Sequence, residues 1–154
     1  MRLVACLAIA ATVLAGCGGS PMTPSNAPVQ LTIMPLPTPI GNPNTGAFTA
    51  MLHNVTANPV ELTFPSSCQM LPYFIDRRTG QTVTPVGGGV ACATVITHLT
   101  LTPSLSTAAV FMVKGGNAPE PNVIVLPPGD YAIYARLEDQ TYKVKSPELT
   151  FTLR

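Results

Sequence analysis

The sequence has few charged residues and no tryptophan. Only 10% of its residues are charged, the basic residues outnumber the acidic ones by one, and removal of Arg2 makes the two numbers equal. Nucleic-acid binding draws most of its affinity from phosphate neutralisation by lysine and arginine. The charge balance and the lack of a basic cluster therefore argue against a nucleic-acid partner. Because 46% of the residues are hydrophobic, the chain is not of the disordered class either.

Groups that carry chemistry are equally scarce. The two histidines, His53 and His98, occur in alternating segments with no nucleophile and carboxylate at matching spacing. The serines Ser66 and Ser67 lack the Gly-x-Ser-x-Gly turn of hydrolases. No glycine-rich stretch opens a helix, and no ligand set has metal-site spacing. The sequence thus predicts a protein that is not an enzyme and has no cofactor or metal.

The N-terminus has the pattern of an export signal. A short positive start at Arg2 precedes an apolar run, and Leu14-Ala15-Gly16-Cys17 resembles the lipobox of bacterial lipoproteins, in which the cysteine carries the lipid. The alternative is an ordinary signal peptide with Cys17 incidental. We expect a signal peptide over residues 1–16 and a lipid anchor at Cys17. The protein would then be exported and held on a bacterial membrane, facing the periplasm or the exterior.

Residues 17–45 are rich in proline and glycine, which indicates a tether with a possible edge strand at Val29–Ile33. From residue 46 to 154 the chain consists of short alternating apolar segments separated by turns, and none is long enough to span a bilayer. Val60–Phe64 is the clearest strand, ended by Pro65, and Thr94–Leu101 is a further alternating strand segment. Asp76–Gly80 is predicted to be a hairpin loop with Gly80 at a position of positive φ. The position of Tyr131 after Pro128-Gly129-Asp130 is typical of the tyrosine corner of β-sandwiches. The pattern predicts one all-β sandwich domain over residues 46–154.

Several of these segments together resemble the BsuPI family, the bacterial intracellular proteinase inhibitor domain. The similarity lies in Asn54 and Thr56, in the stretch from Asn58-Pro59 through Phe64-Pro65-Ser66 to Gln69, and in Tyr73–Asp76 with Gly80–Val83. It extends to Leu126–Ala135. The resemblance implies an immunoglobulin-like antiparallel β-sandwich and suggests proteinase inhibition.

With Cys6 in the signal and Cys17 lipidated, Cys68 and Cys92 remain, and outside the cytoplasm they are expected to form a disulfide. The alternative is two free thiols. Two turn-rich stretches are candidate binding loops, one around Gly87, Gly88 and Gly89 and one containing Lys114, Gly115, Gly116 and Asn117. We therefore expect a cell-envelope lipoprotein whose non-catalytic domain binds an unknown protein, either a protease that it inhibits or, alternatively, an envelope component in a structural or assembly role.

Overall fold

The computed structural model describes residues 26–36 and 45–154, and these residues form strands joined by turns and loops, without a helix. The signal segment, Cys17 and most of the predicted tether lie outside the described residues. None of the described segments is a helix that could cross a membrane. The strands are β1 (Val29–Leu36), β2 (Thr45–Asn54), β3 (Val60–Phe64), β4 (Met70–Asp76), β5 (Thr82–Val83), β6 (Thr97–Leu101), β7 (Ser106–Gly115), β8 (Ile124–Leu126), β9 (Gly129–Leu137) and β10 (Leu149–Leu153).

The strands form two four-stranded sheets that pack face to face. One sheet has the order β1-β2-β7-β8, the other has the order β10-β9-β4-β5, and β3 and β6 form a separate two-stranded ribbon. In the second sheet β9 pairs with β4 from the first half of the chain, and β10 pairs with the other side of β9. The predicted all-β sandwich is confirmed. One pairing departs from the expected antiparallel pattern, because β8 runs parallel to β7 over Val113–Gly115.

The core lies between the two sheets and is built from the alternate residues of each strand. Phe151 of β10 contacts three rings, with centroid distances of 4.9 Å to Phe48, 6.3 Å to Phe74 and 5.7 Å to Tyr131. Because Phe48 belongs to one sheet and the other rings to the second, this cluster joins the two layers. Truncation of a buried phenylalanine in such a cluster costs about 3–5 kcal/mol.

The first strand is part of this core. β1 pairs with β2 over all eight of its residues, and its Val29 and Leu31 are buried. Pro35 has no amide hydrogen to donate, and it is accommodated because β1 is an edge strand. The folded unit therefore includes β1, which lies upstream of the boundary predicted at residue 46.

The residues that carry the family resemblance have structural roles. Asn54 is buried, and its amide nitrogen donates to the carbonyls of Asn58 at 2.8 Å and Leu101 at 2.7 Å. Its amide oxygen accepts from the backbone and the hydroxyl of Thr56, both at 2.8 Å. Every hydrogen-bonding site of this side chain is used, so Asn54 fixes the turn between β2 and β3. Asn54 and Thr56 thus have a structural role in a turn of the sandwich.

Two further local predictions are confirmed. The hydroxyl of Tyr131 donates to the carbonyl of Pro127 at 2.7 Å, which is the expected tyrosine corner. Gly80 has a φ of 71°, as its hairpin position requires. One strand is shorter than expected, because β6 begins at Thr97 and not at Thr94. Thr97 pairs with Phe64, the last residue of β3. The next residue is Pro65, which has no amide hydrogen and cannot continue the β3–β6 pairing.

Candidate binding cleft

The chain between β5 and β6 forms a strap, residues 84–92, across one side of the sandwich. At one end the amide of Val86 donates to the carbonyl of Val125 in β8 at 2.8 Å. The amide of Gly88 then donates to the carbonyl of Pro85 at 3.0 Å, and Gly87 between them has a φ of 80°. A turn with glycine in a left-handed conformation at its third position is typical of type II. The strap therefore begins with a defined turn docked on β8.

At its other end the strap is held by the predicted disulfide. Cys68 and Cys92 are bonded, with Cα atoms 5.5 Å apart, which confirms this pairing. Two backbone contacts lie beside the bond. The amide of Ser67 donates to the carbonyl of Ala93 at 3.0 Å, and the amide of Ala93 donates to the hydroxyl oxygen of Ser67 at 2.9 Å. Both ends of the strap are thus fixed to the sandwich.

The second predicted loop begins at Lys114, but Lys114 and Gly115 are the last residues of β7. The loop that connects β7 to β8, residues 116–123, is also held in place. Lys114 forms an ion pair with Glu120, and an antiparallel bridge joins Glu120 to Val123. Asn122 closes this turn with a φ of 60°, a conformation that asparagine tolerates better than most residues. Lys114 therefore serves to tie the loop to β7. Of the other predicted residues, Gly115 packs against the end of the chain, where an added Cβ would lie 3.0 Å from the carbonyl oxygen of Arg154.

The strap and the β7–β8 loop meet at Gly87. A Cβ atom added to Gly87 would lie only 2.5 Å from the Cβ of Pro119, so the two backbones approach as closely as a glycine permits. Between them is a cleft of about 380 Å³. It is lined by residues of the strap (Val86 to Ala91), of β7 (Val110, Phe111 and Met112) and of the loop and β8 (Pro119, Glu120, Asn122, Val123 and Ile124). The strap and the far part of the β7–β8 loop thus border one cleft. Of the predicted loop residues, Gly87, Gly88 and Gly89 line it, whereas Lys114, Gly115, Gly116 and Asn117 do not.

The lining is mixed in character, with exposed polar and apolar surface in similar amounts. Val90 and Val110 remain 40% and 58% exposed, and Glu120, the charged residue of the lining, is already paired with Lys114. The cleft also borders an open strand edge. In the described part of the chain, β8 pairs with β7 only over Val113–Gly115, so residues 106–112 of β7 have a strand partner on one side only. Such an edge can hydrogen-bond an extended peptide while the cleft receives its apolar side chains.

A smaller hollow of about 240 Å³ lies on the other side of the strap. It is lined by Leu71 to Phe74, by Thr82 to Pro85 and by Ile124, and it shares Gly89 and Val90 with the larger cleft. The strap therefore separates two hollows, and Val90 borders both. The exposure of Val90 and Val110 was not predicted from the sequence. The one signal in the sequence is that Val90 follows three glycines, a run that is not expected to pair as a strand.

The histidines lie away from the cleft and form simple polar contacts. Nδ1 of His53 is 2.9 Å from the Ser106 hydroxyl, and Nδ1 of His98 is 3.2 Å from the Thr63 hydroxyl. Among residues 26–36 and 45–154, no three histidine, cysteine, aspartate or glutamate side chains are grouped so as to hold a metal ion.

An aromatic stack on the outer face of β4 and β9 was not foreseen from the sequence. The rings of Tyr73 and Tyr134 stack at 5.3 Å, Arg136 lies over Tyr73 at 4.4 Å, and Lys145 lies over Tyr134 at 4.0 Å. Burial, followed by the charge of Glu138, raises the pKa of Tyr73. A hydrogen bond to Glu138 raises the pKa of Arg136. Both outer ring faces are covered by these cations, so the stack reinforces the sheet surface and does not form an open platform.

Comparison with known proteins found similarity only among solved structures. No family model and no curated protein matches the chain. A β-glucosidase from Erythrobacter marinus is 12% identical with a TM-score of 0.44, and the match covers 82% of this chain and 15% of the enzyme. β-Glucosidase 3B from Thermotoga neapolitana is 11% identical with a TM-score of 0.42, covering 80% and 15%. The chain thus spans about 15% of the length of these enzymes, and at such scores the likeness carries no argument about activity.

Proposed function

We propose that this protein is an exported, lipid-anchored protein of the bacterial cell envelope whose non-catalytic sandwich binds another protein through the cleft. The observation that carries the proposal is the convergence of the strap and the β7–β8 loop on one cleft beside an open strand edge. A protease is the first candidate partner, because the chain resembles a family of proteinase inhibitors. The alternative partner is a structural component of the envelope.

The disulfide supports export. Disulfides persist in secreted and periplasmic proteins and are rare in the cytosol, where thiols are kept reduced. Cys68 and Cys92 close a loop with a sequence separation of 24, and a loop of this size stabilises the folded state by about 3 kcal/mol in the chain-entropy description. The lipobox-like Leu14-Ala15-Gly16-Cys17 supplies the anchor in this proposal.

Bracing of the strap supports a binding role. Ordering a mobile side chain on association costs roughly 0.5–1.5 kcal/mol, and ordering a backbone segment adds to this. Here the strap is fixed before any partner arrives, by the β8 contact at one end and the disulfide at the other. A partner therefore binds without a large ordering cost, which is how rigid loops achieve high affinity over a standard interface of roughly 1,600 Å².

The test uses a variant that obstructs the cleft without disturbing the fold. An added Cβ at Gly89 meets no atom within 4 Å, and the φ of this residue is not positive, so Gly89→Trp is tolerated locally. Because Gly89 lines the cleft, the substitution adds an indole to that lining. Gly89→Ala is the matched control. Envelope extracts are cross-linked to the lipidated wild type and to both variants. The proposal expects one protein to be captured by wild type and Gly89→Ala and lost with Gly89→Trp.

The identity of the captured protein separates the two candidates. A protease, together with inhibition of that protease by micromolar protein in a panel of serine and metalloproteases, supports the inhibitor. Capture of a structural protein with an inactive panel supports the assembly role. Equal capture by all three proteins would show that the cleft is not the binding site.

A further inference from the structure

The end of the sandwich at which the chain enters carries two exposed apolar side chains. Val55 lies in the turn between β2 and β3 and is 53% exposed, and Leu105 lies in the turn between β6 and β7 and is 58% exposed. The amide of Val55 donates to the carbonyl of Pro28 at 3.0 Å, and the amide of Asn54 donates to the carbonyl of Leu105 at 3.3 Å. Both residues therefore lie beside the point where the tether joins β1. We call this region the entry end.

The turn that presents Leu105 is a defined one. The amide of Leu105 donates to the carbonyl of Thr102 at 3.2 Å, with Pro103 second and Ser104 third in the turn. Ser104 has a φ of 62°, a left-handed conformation that residues other than glycine, asparagine and aspartate rarely adopt. The chain accepts this strain in a turn that leaves Leu105 in solvent.

The β7–β8 loop of the binding cleft is at the opposite end of the same strands. β7 begins at Ser106 beside the entry end and ends at Gly115 where that loop begins, and ten strand residues span roughly 30 Å. β2 confirms the direction, because His53 pairs with Ser106 and Thr45 pairs with Lys114. If the entry end contacts a surface, the β7–β8 loop therefore faces away from that surface.

The proposed anchor brings the entry end close to a bilayer. Cys17 and Pro28 are separated by about eleven residues, which span at most about 40 Å when fully extended. The two turns, residues 55–59 and 102–105, contain no charged residue. The charged residue nearest to them in the sequence is Glu61, whose carboxylate accepts a hydrogen bond from the Thr100 hydroxyl at 2.9 Å. Approach to a lipid surface thus requires no charge in these turns to lose its water.

We propose that the entry end rests on the bilayer, with Val55 and Leu105 inserted into the lipid interface, and that the β7–β8 loop side of the cleft points away from the membrane. This inference rests on the proposed lipid anchor at Cys17. The occupant of the exposed apolar pair is the lipid surface itself. Apolar side chains beside a lipid anchor add to membrane attachment and also set the orientation of the attached domain.

The lack of tryptophan allows a direct test. Val55→Trp and Leu105→Trp each place a single indole at the entry end, and Val90→Trp places one in the cleft as the control. The full lipidated protein is reconstituted in vesicles of phosphatidylethanolamine and phosphatidylglycerol that carry brominated acyl chains. Residues inserted about 5–10 Å into the interface should be quenched about twofold or more relative to Val90→Trp, with emission shifted to shorter wavelength. All three positions are at least 40% exposed, and thermal unfolding checks that each variant is folded.

Equal quenching at the three positions, or none at 55 and 105, overturns the orientation. A shift that grows with the protein-to-lipid ratio shows that a second copy covers the entry end, and this also overturns it. Mass spectrometry of Cys17 separates this failure from failure of the proposed function. An unlipidated Cys17 removes the anchor and the orientation together, whereas a lipidated Cys17 without quenching removes the orientation alone.

Discussion

Replacement of the three consecutive glycines of the strap by alanine, one at a time, should give three different results. At Gly87 a methyl group meets two obstacles, a φ of 80° and the Cβ of Pro119 at 2.5 Å. Gly88 has a φ of 102° but open space around it, and Gly89 has open space and no positive φ. Alanine at Gly88 therefore tests the cost of the backbone conformation alone, alanine at Gly87 tests conformation and packing together, and alanine at Gly89 tests neither.

The magnitudes follow from these differences. A left-handed conformation costs an alanine roughly 1–2 kcal/mol, and forcing apart the Gly87–Pro119 contact adds roughly 1–3 kcal/mol. Gly87→Ala should thus lose about 2–5 kcal/mol and Gly88→Ala about 1–2 kcal/mol. Gly89→Ala should gain about 0.4–1 kcal/mol, because alanine lowers the entropy of the unfolded chain. For a domain of this size 1 kcal/mol corresponds to roughly 4 °C in the midpoint of thermal unfolding.

The assay is urea and thermal unfolding of the oxidised protein, followed by far-ultraviolet circular dichroism. The expected order of stability is Gly89→Ala, wild type, Gly88→Ala, Gly87→Ala. Equal destabilisation by all three substitutions would refute the argument, since it would mean that the strap adapts as a flexible loop. A Gly87→Ala protein as stable as wild type would show that Pro119 and the turn move apart freely.

Three further predictions concern groups that hold the sandwich together. Asp139 is buried and accepts from the amides of Thr63, Thr141 and Tyr142 at 2.6, 2.8 and 2.7 Å, so Asp139→Ala should lose about 3–5 kcal/mol in urea unfolding. The exposed Asp130→Ala should lose less than about 1 kcal/mol, and equal losses would contradict this account. Serine at both Cys68 and Cys92 should lose about 3 kcal/mol and weaken partner capture; unchanged capture would show that bracing of the strap is not needed. Burial raises the pKa of Tyr131 above its ordinary value of 10.0, so its stabilisation is complete below about pH 10 and is lost as the pH rises through the folded-state value. Tyr131→Phe should flatten this alkaline decline in unfolding midpoints between pH 9 and 11, and an unchanged slope would assign the decline to another group.

Local patterns were sufficient to predict much of the fold. β3 alternates strictly, and its inward residues Val60, Leu62 and Phe64 are buried as predicted. β9 departs from strict alternation, because Ala132 on the outward side of the pattern is buried beside Tyr131 and Ile133. The turn at Gly80 and the corner at Tyr131 depend on neighbouring residues alone, and both were predicted for that reason. The disulfide followed from the number of cysteines left after the signal.

Contacts between distant segments could not be predicted in the same way. The approach of Gly87 to Pro119 joins two loops far apart in sequence, and neither loop has a local pattern that specifies the other. The parallel pairing of β8 with β7 could not be predicted either, because a short apolar run does not specify the direction of its partner strand. The prolines predicted an edge strand at Val29–Ile33, and β1 is an edge strand. The contribution of its Val29 and Leu31 to the core depends on contacts with distant strands.

The position of the disulfide has a consequence for peptide-bond cleavage. The whole strap lies between Cys68 and Cys92, so a single cut anywhere in it leaves the two pieces covalently joined. The new ends remain beside one another, because the β8 contact holds one side of the cut and the disulfide holds the other. A protease that cleaved the strap would release no product. Such a nicked chain would migrate as one species without a reductant and as two species with it.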